Sequence, residues 1–550
     1  MEQSIIDLIS KRLNLNKETI EKAIEIPPNL ELGDYAFPCF ILAKQFKKSP
    51  MDIASELSLW FNNSLPKEIE KTEAKGPYVN FFLNKISLVE EVLKKALNDD
   101  FGKAKENQKI LVEHTSINPN ASPHVGRTRN SIIADSIVRI LRFRGNKVET
   151  HYYVNDVSKQ IAMLALVFKP NHKFADMLNN YISISKKVSE NPELEKEIFD
   201  LLEKFEKKDK KTIDLFRKIV KICIEGQKEI FKKFGITFDF FDYESKYIGK
   251  ASKDLIEKFK KTGKLFEDKD NRLVLDLSHT DLHKKMKSPV FVLARSNGTS
   301  LYGLRDIAYT LDKMKRGRNI IILGEDHKLY FDQIKESLKL LNSNAPEPVH
   351  YSFVLIQTST GNKKMSTRRG ELVLLEDFFR ETVKKAQVEI KKRKTKGDAE
   401  KIAIAAIKYA MLRNDSNKNI IFSWENSLNF EGESGPYLQY SYARASSILR
   451  KVKKAKSKLF RINSLEEIEI KLAKKIADFP TVVESAESHL SPNLIANYSF
   501  ELAQTFNEFY HACPVIGNEN ESFRIKLVEA FRLTIKKSLY LLGIEVMEEM

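Results

Sequence analysis

The chain has 550 residues, 42% hydrophobic and 30% charged, with a formal net charge of +17. That length exceeds a single hydrophobic core and predicts about three domains. It holds no apolar run of the ~18 residues that would suggest a membrane helix. The basic excess fits either solvated lysine-rich helix faces or a polyanionic partner, because neutralising phosphates is the main source of nucleic-acid affinity. Cys39, Cys223 and Cys513 are isolated, with no CxxC pair. Neither a zinc site nor a disulfide framework is expected, and a cytoplasmic location fits. His279 and His283 lie four apart without the glutamate of HExxH, so no metal site is assigned to them.

In chain order, MEQSIIDLISKRLNLNK reads as an amphipathic helix rather than a secretory signal, and residues 1–25 as helical. Ile41 to Phe61 is a second helical stretch that Pro50 should break. Tyr78 to Leu83 reads as a strand after Gly76-Pro77. Lys109 to His114 is a short apolar strand, Arg129 to Phe143 a helix stopped by Gly145, and Val148 to Val154 the next strand. Strand, helix, strand at that spacing predicts a βαβ unit and a parallel sheet. Residues 168–260, dominated by charge, read as a helical insertion. Asn297-Gly298 between two apolar runs predicts a hairpin, with Ser300-Leu301-Tyr302 as its second arm. Arg305 to Lys315 and Leu329 to Leu341 read as helices, Ile320 to Leu323 as a buried strand, and Tyr351 to Ile356 as another. From about residue 400 only helical periodicity remains.

Two stretches carry the chemistry. The strand–helix junction at Asn118-Pro-Asn-Ala-Ser-Pro-His124-Val125-Gly126-Arg127 offers His124 and Arg127 beside the orphan N–H groups of a helix start. Gly126 leaves room for a flat group such as adenine. The plain structural alternative is a decorated cap, with Ser122 as N-cap and Pro123 at the first helical position. No GxGxxG or GxxxxGK[ST] occurs, which disfavours an ordinary dinucleotide or P-loop enzyme. The second stretch, Gly361-Asn-Lys363-Lys364-Met365-Ser366-Thr367-Arg368-Arg369-Gly370, places four cations in a loop that could close over a triphosphate.

HxG(H) at the first βα turn and KMS(K) on a later loop are the paired signatures of class I aminoacyl-tRNA synthetases. Further stretches resemble the arginyl-tRNA synthetases in particular: Glu113 to His124, His151-Tyr-Tyr-Val-Asn155-Asp156, Ser300-Leu-Tyr302-Gly-Leu-Arg305-Asp306-Ile-Ala-Tyr309, and Glu431 through Tyr437, Gln439, Tyr440 and Arg444. Gly33-Asp34-Tyr35-Ala36 is similar to the family's N-terminal domain.

The resemblance implies a multidomain α/β protein. Residues 1–104 would form a small α+β tRNA-recognition domain. Residues 105–425 would form a Rossmann-type parallel-sheet catalytic domain carrying the insertion at about 168–260. Residues 426–550 would form an all-α anticodon-binding bundle. It implies that arginine is activated by ATP, entering with Mg2+ as a substrate, and is then passed to the 3′-terminal ribose of tRNA(Arg), with the first step requiring bound tRNA. No tightly bound cofactor or metal and no membrane contact are expected, and the chain is expected to be a monomer.

Residue by residue, the resemblance places Glu113, Asn118, Tyr302, Asp306 and His327 around arginine. It places His124, Gly126, Gly324, Lys364 and Met365 around ATP. It gives His124, Gly126, Arg127, Lys364, Met365 and Ser366 the chemistry of phosphate charge. Tyr437, Tyr440, Arg444, Tyr78, Asn80 and Phe82 would meet tRNA. Carboxylates suit the planar, permanently charged guanidinium. Departures from the pattern are Arg127 for the signature's last histidine, Thr367 for its second lysine, His327 where the family places glutamine, and the chain end Val546 to Met550. Arg368 or Lys363 could stand in for the missing lysine. Another class I synthetase, of cysteinyl type, would want zinc-ligand cysteines and would not call for Glu113 with Asp306. A catalytically altered RNA-binding paralogue would carry a ruined ATP signature. A small nucleotidylyltransferase would not need the basic helical C-terminal part.

Overall fold

The structure is a computed structural model that describes residues 2–358, 361–364, 373–452 and 460–550. Its centre is a five-stranded, all-parallel sheet. In chain order the strands of the molecule begin with an N-terminal trio, β1 (Tyr35–Pro38), β2 (Ile69–Lys75) and β3 (Tyr78–Leu83). The central sheet uses β4 (Lys109–Glu113), β5 (Lys147–Val154), β6 (Phe240–Tyr243), β10 (Arg318–Gly324) and β11 (Glu347–Tyr351). Between them lie β7 (Leu265–Glu267), β8 (Leu273–Asp276) and β9 (Val290–Ala294), an antiparallel sheet of their own. The last three, β12 (Val354–Thr358), β13 (Gly361–Lys364) and β14 (Ile420–Phe422), form a third small sheet ordered β13-β12-β14.

The central order is β11-β10-β4-β5-β6. The chain runs outward from β4 one way through β5 and β6, and the other way from β10 to β11. The order therefore reverses between β4 and β10, and in such sheets ligands bind at the carboxyl ends of the strands beside that switch. Glu113 ends β4 and Gly324 ends β10.

Several expectations are corrected. Within the range 168–260 lie four α-helices, Phe174–Glu190, Pro192–Glu206, Lys210–Lys233 and Lys250–Lys260, with a strand between the last two. Phe240–Tyr243 pairs with β5 as the sheet's edge, a strand too short for periodicity to reveal. The run Tyr351–Ile356 is two strands in two sheets, β11 and β12, split at Ser352-Phe353. The hairpin turn is real, with Gly298 at φ 80, but its second arm is one bridge, Ala294 to Ser300. Tyr302 opens the helix Tyr302–Met314 instead, because the strand's side-chain face gives way to helical spacing at Leu304, Ile307 and Tyr309. Among the described residues beyond 400 there is one strand, β14. The break at Pro50 occurs as expected: Ser49 caps a new helix, Pro50–Asn62, with Pro50 in its first turn.

The chain divides into two compact units. One comprises Met1–Phe101, Ala445–Phe479 and Glu501–Thr534. There the N-terminal sheet packs Phe37, Phe61 and Phe81 into one core, Phe506 stacks on Phe531, and Lys474 pairs with Asp34. The other comprises Gly102–Arg444, Pro480–Phe500 and Ile535–Met550 and contains the parallel sheet. No described helix is long and apolar enough to cross a membrane.

Candidate active site

The loop after β4 turns sharply. Thr115 and Ser116 take φ 68 and 42, conformations that cost non-glycine residues energy unless neighbours hold them. Asn130 and Ser131 of the helix Val125–Phe143 supply that hold: Thr115 N donates to Asn130 Oδ1 at 2.7 Å, and the Thr115 and Ser131 hydroxyls meet at 2.7 Å. Gln227, from the helix Lys210–Lys233, donates to the carbonyls of Asn118 (3.1 Å) and Ala121 (2.7 Å). The insertion thus fixes the loop's backbone and leaves the Asn118 side chain exposed.

His124, not Ser122, is the N-cap of the helix, because its imidazole reaches back where a serine hydroxyl would. Its Nδ1 accepts from Arg127 N at 3.4 Å, which assigns the ring proton to Nε2. Burial, then the nearby Arg127 cation, push its pKa down to about 4, so the ring is neutral at ordinary pH. A Cβ at Gly126 would lie 3.3 Å from that ring, so the glycine admits the imidazole itself as well as any ligand. Arg127 points across the switch to Asp326, 3.9 Å away, beyond Gly324. His327 lies in the same group, 3.6 Å from Asp326, with its buried Nε2 unpartnered.

The segment that follows the second signature meets the first through the backbone. β12 leads into β13, where Lys364 pairs in register with Leu355. Met365, Ser366, Thr367 and Arg368 fall outside the described residues. The chain returns beside His124: Val125 N donates to Val373 O at 3.2 Å and Leu375 N to Pro123 O at 2.9 Å. Arg129 anchors the base of this arrangement. Fully buried, it donates to the carbonyls of Ser352 (2.9 Å), Lys418 (2.7 Å) and Asp415 (3.0 Å).

On the other side of the switch the helix Tyr302–Met314 turns Asp306, Tyr309, Thr310 and Lys313 toward the sheet, the i, i+3, i+4, i+7 face of a helix. Asp306 accepts from Tyr330 OH at 2.8 Å and from Thr310 Oγ1 at 3.4 Å. Burial and the neighbouring Glu113 charge raise its carboxyl to about 6. Tyr302 is exposed at the mouth, its ring 5.3 Å from that of Tyr330. Glu113 pairs with Lys313. Tyr153 stacks on Tyr309 at 4.5 Å, and its hydroxyl has no hydrogen-bond partner among the described residues. Glu113, Asp306, Tyr302 and Asn118 all belong to segments at the carboxyl ends of β4 and β10. Sequence reasoning missed Tyr330, Tyr153 and Lys313. Lys313 was findable at i+7 from Asp306, and Tyr153 inside the His151–Asp156 stretch. Tyr330 carries no signal, since only helix packing brings it to Asp306.

The residues assigned to RNA lie elsewhere. Tyr437, Tyr440 and Arg444 share the helix Gly435–Lys451 and are each half-buried. Arg444 donates to Tyr440 OH at 3.1 Å and lies over its ring at 4.8 Å. Tyr437 packs on Phe500. On β3, Tyr78 and Phe82 are half-buried while Asn80 is 4% exposed.

Three family models match the chain: the arginyl tRNA synthetase N terminal domain over residues 1–83, the class I (R) tRNA synthetase catalytic domain over 89–424, and the DALR anticodon binding domain over 438–550. The chain is 36% identical to an arginine–tRNA ligase of Methanococcus aeolicus, covering 99% of each. It is 38% identical to one of Methanocaldococcus jannaschii, covering 98% of this chain and 99% of that one. Among solved structures, the arginyl-tRNA synthetase of Thermus thermophilus superposes with a TM-score of 0.78 at 25% identity, covering all of both chains. That of Plasmodium falciparum shares the fold at TM-score 0.75 and 20% identity, covering all of this chain and 99% of that one.

Proposed function

The chain belongs to the arginyl-tRNA synthetase family, and from that premise we propose that it charges tRNA with arginine at the switch between β4 and β10. One observation supports this reading above the others. A carboxylate whose pKa burial raises to about 6, Asp306, faces the same strand ends as a helix whose N-terminus carries a neutral capping histidine and Arg127. A guanidinium-bearing amino acid fits the first and a triphosphate the second.

In the first step an arginine carboxylate oxygen attacks the α-phosphorus of ATP, the bond to the bridging oxygen breaks, and pyrophosphate leaves with its electron pair. In the second, a terminal ribose hydroxyl of tRNA attacks the adenylate's carbonyl carbon and AMP departs. The protein needs no covalent nucleophile; it aligns the groups and stabilises charge. Asn118, exposed at the loop tip, would hold the α-amino group together with His327. His124 Nε2–H, Arg127 and Lys364 would face the phosphates, with Met365 and Ser366 continuing the loop. Gly324 and Gly126 would border the adenosine. ATP enters as its magnesium complex. Tyr437, Tyr440 and Arg444, and Tyr78 and Phe82, would contact tRNA, whereas Asn80, buried in β3, would support that face from within. The chain would act in the cytoplasm as a monomer, with the first step requiring tRNA.

Pyrophosphate exchange with each amino acid, with and without tRNA, tests the assignment. Arginine alone should support exchange, and only with tRNA present; exchange with another amino acid and none with arginine would sink it. Asp306→Ala should raise the arginine KM by about 10- to 100-fold, the worth of one charge-assisted hydrogen bond, and leave the ATP KM nearly unchanged.

A further inference from the structure

Four carboxylates surround the floor of the proposed arginine pocket, and three of them already have an ionic or imidazole partner. Glu244 pairs with Arg305 at 2.7 Å. Asp242 meets His151 Nδ1 at 2.6 Å and accepts from Tyr309 OH at 3.0 Å. Glu113 pairs with Lys313, whose ammonium also lies 4.5 Å from the centre of the Tyr309 ring. The fourth, Asp306, is held by the hydroxyls of Tyr330 and Thr310, and no described cation forms an ion pair with it. Lys313 is 1% exposed, and Asn319 Nδ2 donates to its carbonyl at 3.1 Å. Its backbone is therefore fixed where the side chain meets Glu113.

We propose that Lys313 is a positioning residue of the arginine pocket: it takes up the charge of Glu113 and leaves Asp306, which has no ion-pair partner among the described residues, to the incoming guanidinium. The proposal rests on the arginine reading and sharpens it. Two buried carboxylates would together oppose ionisation of the second and would overmatch a singly charged side chain. A resident ammonium brings the Glu113–Asp306–Lys313 set to a net charge of −1, the complement of one guanidinium. The other groups facing Asp306 are Arg305 on its own helix, Tyr153 of β5, Tyr302 and Tyr330 at the mouth, and Glu244 beyond β6. Glu113 acts on Asp306 to raise its pKa and Lys313 to lower it, so removing each should move arginine binding along the pH axis in opposite directions.

The test is the arginine KM in tRNA-dependent pyrophosphate exchange between about pH 5.5 and 8.5, with the ATP KM as internal control. In the unaltered protein the arginine KM should climb about tenfold per unit once pH falls below that of Asp306, about 6. In Lys313→Gln the climb should begin at higher pH, giving an arginine KM about tenfold above the unaltered protein near pH 6.5 with the ATP KM within about twofold. Lys313→Arg, which keeps the charge, should restore the original profile. In Glu113→Gln the climb should begin at lower pH. Profiles that differ only by a constant factor, or shift in the same direction, would overturn the proposal while leaving the arginine reading intact. Absence of arginine-dependent exchange in the unaltered protein would overturn both. If Lys313→Gln proves insoluble, the Glu113→Gln profile decides alone: a shift to lower pH supports the proposal, and any other result overturns it.

Discussion

His124 shows how one residue can serve backbone and ligand together. A histidine is a poor helix cap by propensity, yet here its Nδ1 takes an orphan N–H while Nε2 keeps the proton that the proposed function turns toward phosphate. Burial keeps the ring neutral to about pH 4 in the folded chain, against an ordinary value of 6.5 when unfolded. The folded pKa is depressed, so below pH 6.5 the unfolded chain binds the proton first. The stability this neutral ring contributes is therefore present above pH 6.5 and lost as pH falls toward 4. His124→Asn keeps a capping oxygen and cannot titrate. Between pH 7.5 and 5 the unaltered protein should lose stability relative to this variant by on the order of 1–2 kcal/mol, after allowing for its partial exposure. Paired thermal melts at the two pH values would show it, and parallel losses would refute it. The signature spacing made His124 legible in the sequence. Its role as the cap was not legible, because Ser122 offers the commoner chemistry two positions earlier.

The helix Val125–Phe143 is the element on which the site depends. Its first turn carries His124 and Arg127, and Asn130 donates to Ile322 O of β10 at 2.7 Å. Ser136 donates to Leu541 O at 2.8 Å, and Asp135 takes the buried Lys408 at 3.0 Å. Arg129 binds three carbonyls at the foot of β12 and β14. Burial lowers its pKa to about 10, which leaves it a cation. Arg129→Met would strand the carbonyls of Ser352 and Lys418 at about 1–3 kcal/mol each, a loss of at least ~2 kcal/mol, while Asp415 O keeps its bond from Lys418 N at 3.0 Å. The variant should melt several degrees lower. It should also raise the ATP KM more than the arginine KM, because Ser352 precedes β12, the strand that leads into the second signature. Unchanged melting would mean water replaces the guanidinium. Periodicity showed this helix plainly but began it at Arg129, since the polar first turn has no apolar stripe to read. It missed β6 for a related reason: four residues, partly polar, give too little alternation to count.

For the whole molecule, the net charge of +17 and the two helical and strand faces assigned to RNA imply binding driven largely by counter-ion release. The tRNA dissociation constant should rise by at least about tenfold between ~50 and ~200 mM salt. Tyr440→Ala should weaken binding by about 1–3 kcal/mol while leaving that salt slope unchanged, because stacking releases no ions. Filter binding across salt concentrations checks both, and a reduced slope in the variant would show that losing Tyr440 also displaces Arg444, which it now holds. The sequence by itself determined the class of fold and the two signature stretches. Those features are local: they need only a strand, a turn and a helix in order, and residue types whose chemistry is their own. The tertiary structure alone decided which charges meet. Glu113 and Lys313 are 200 positions apart, Arg129 and its carbonyls lie more than 220 apart, and no periodicity relates them. Their pairing follows from the strand order that sets β4 against β10 and turns one face of the helix Tyr302–Met314 onto both.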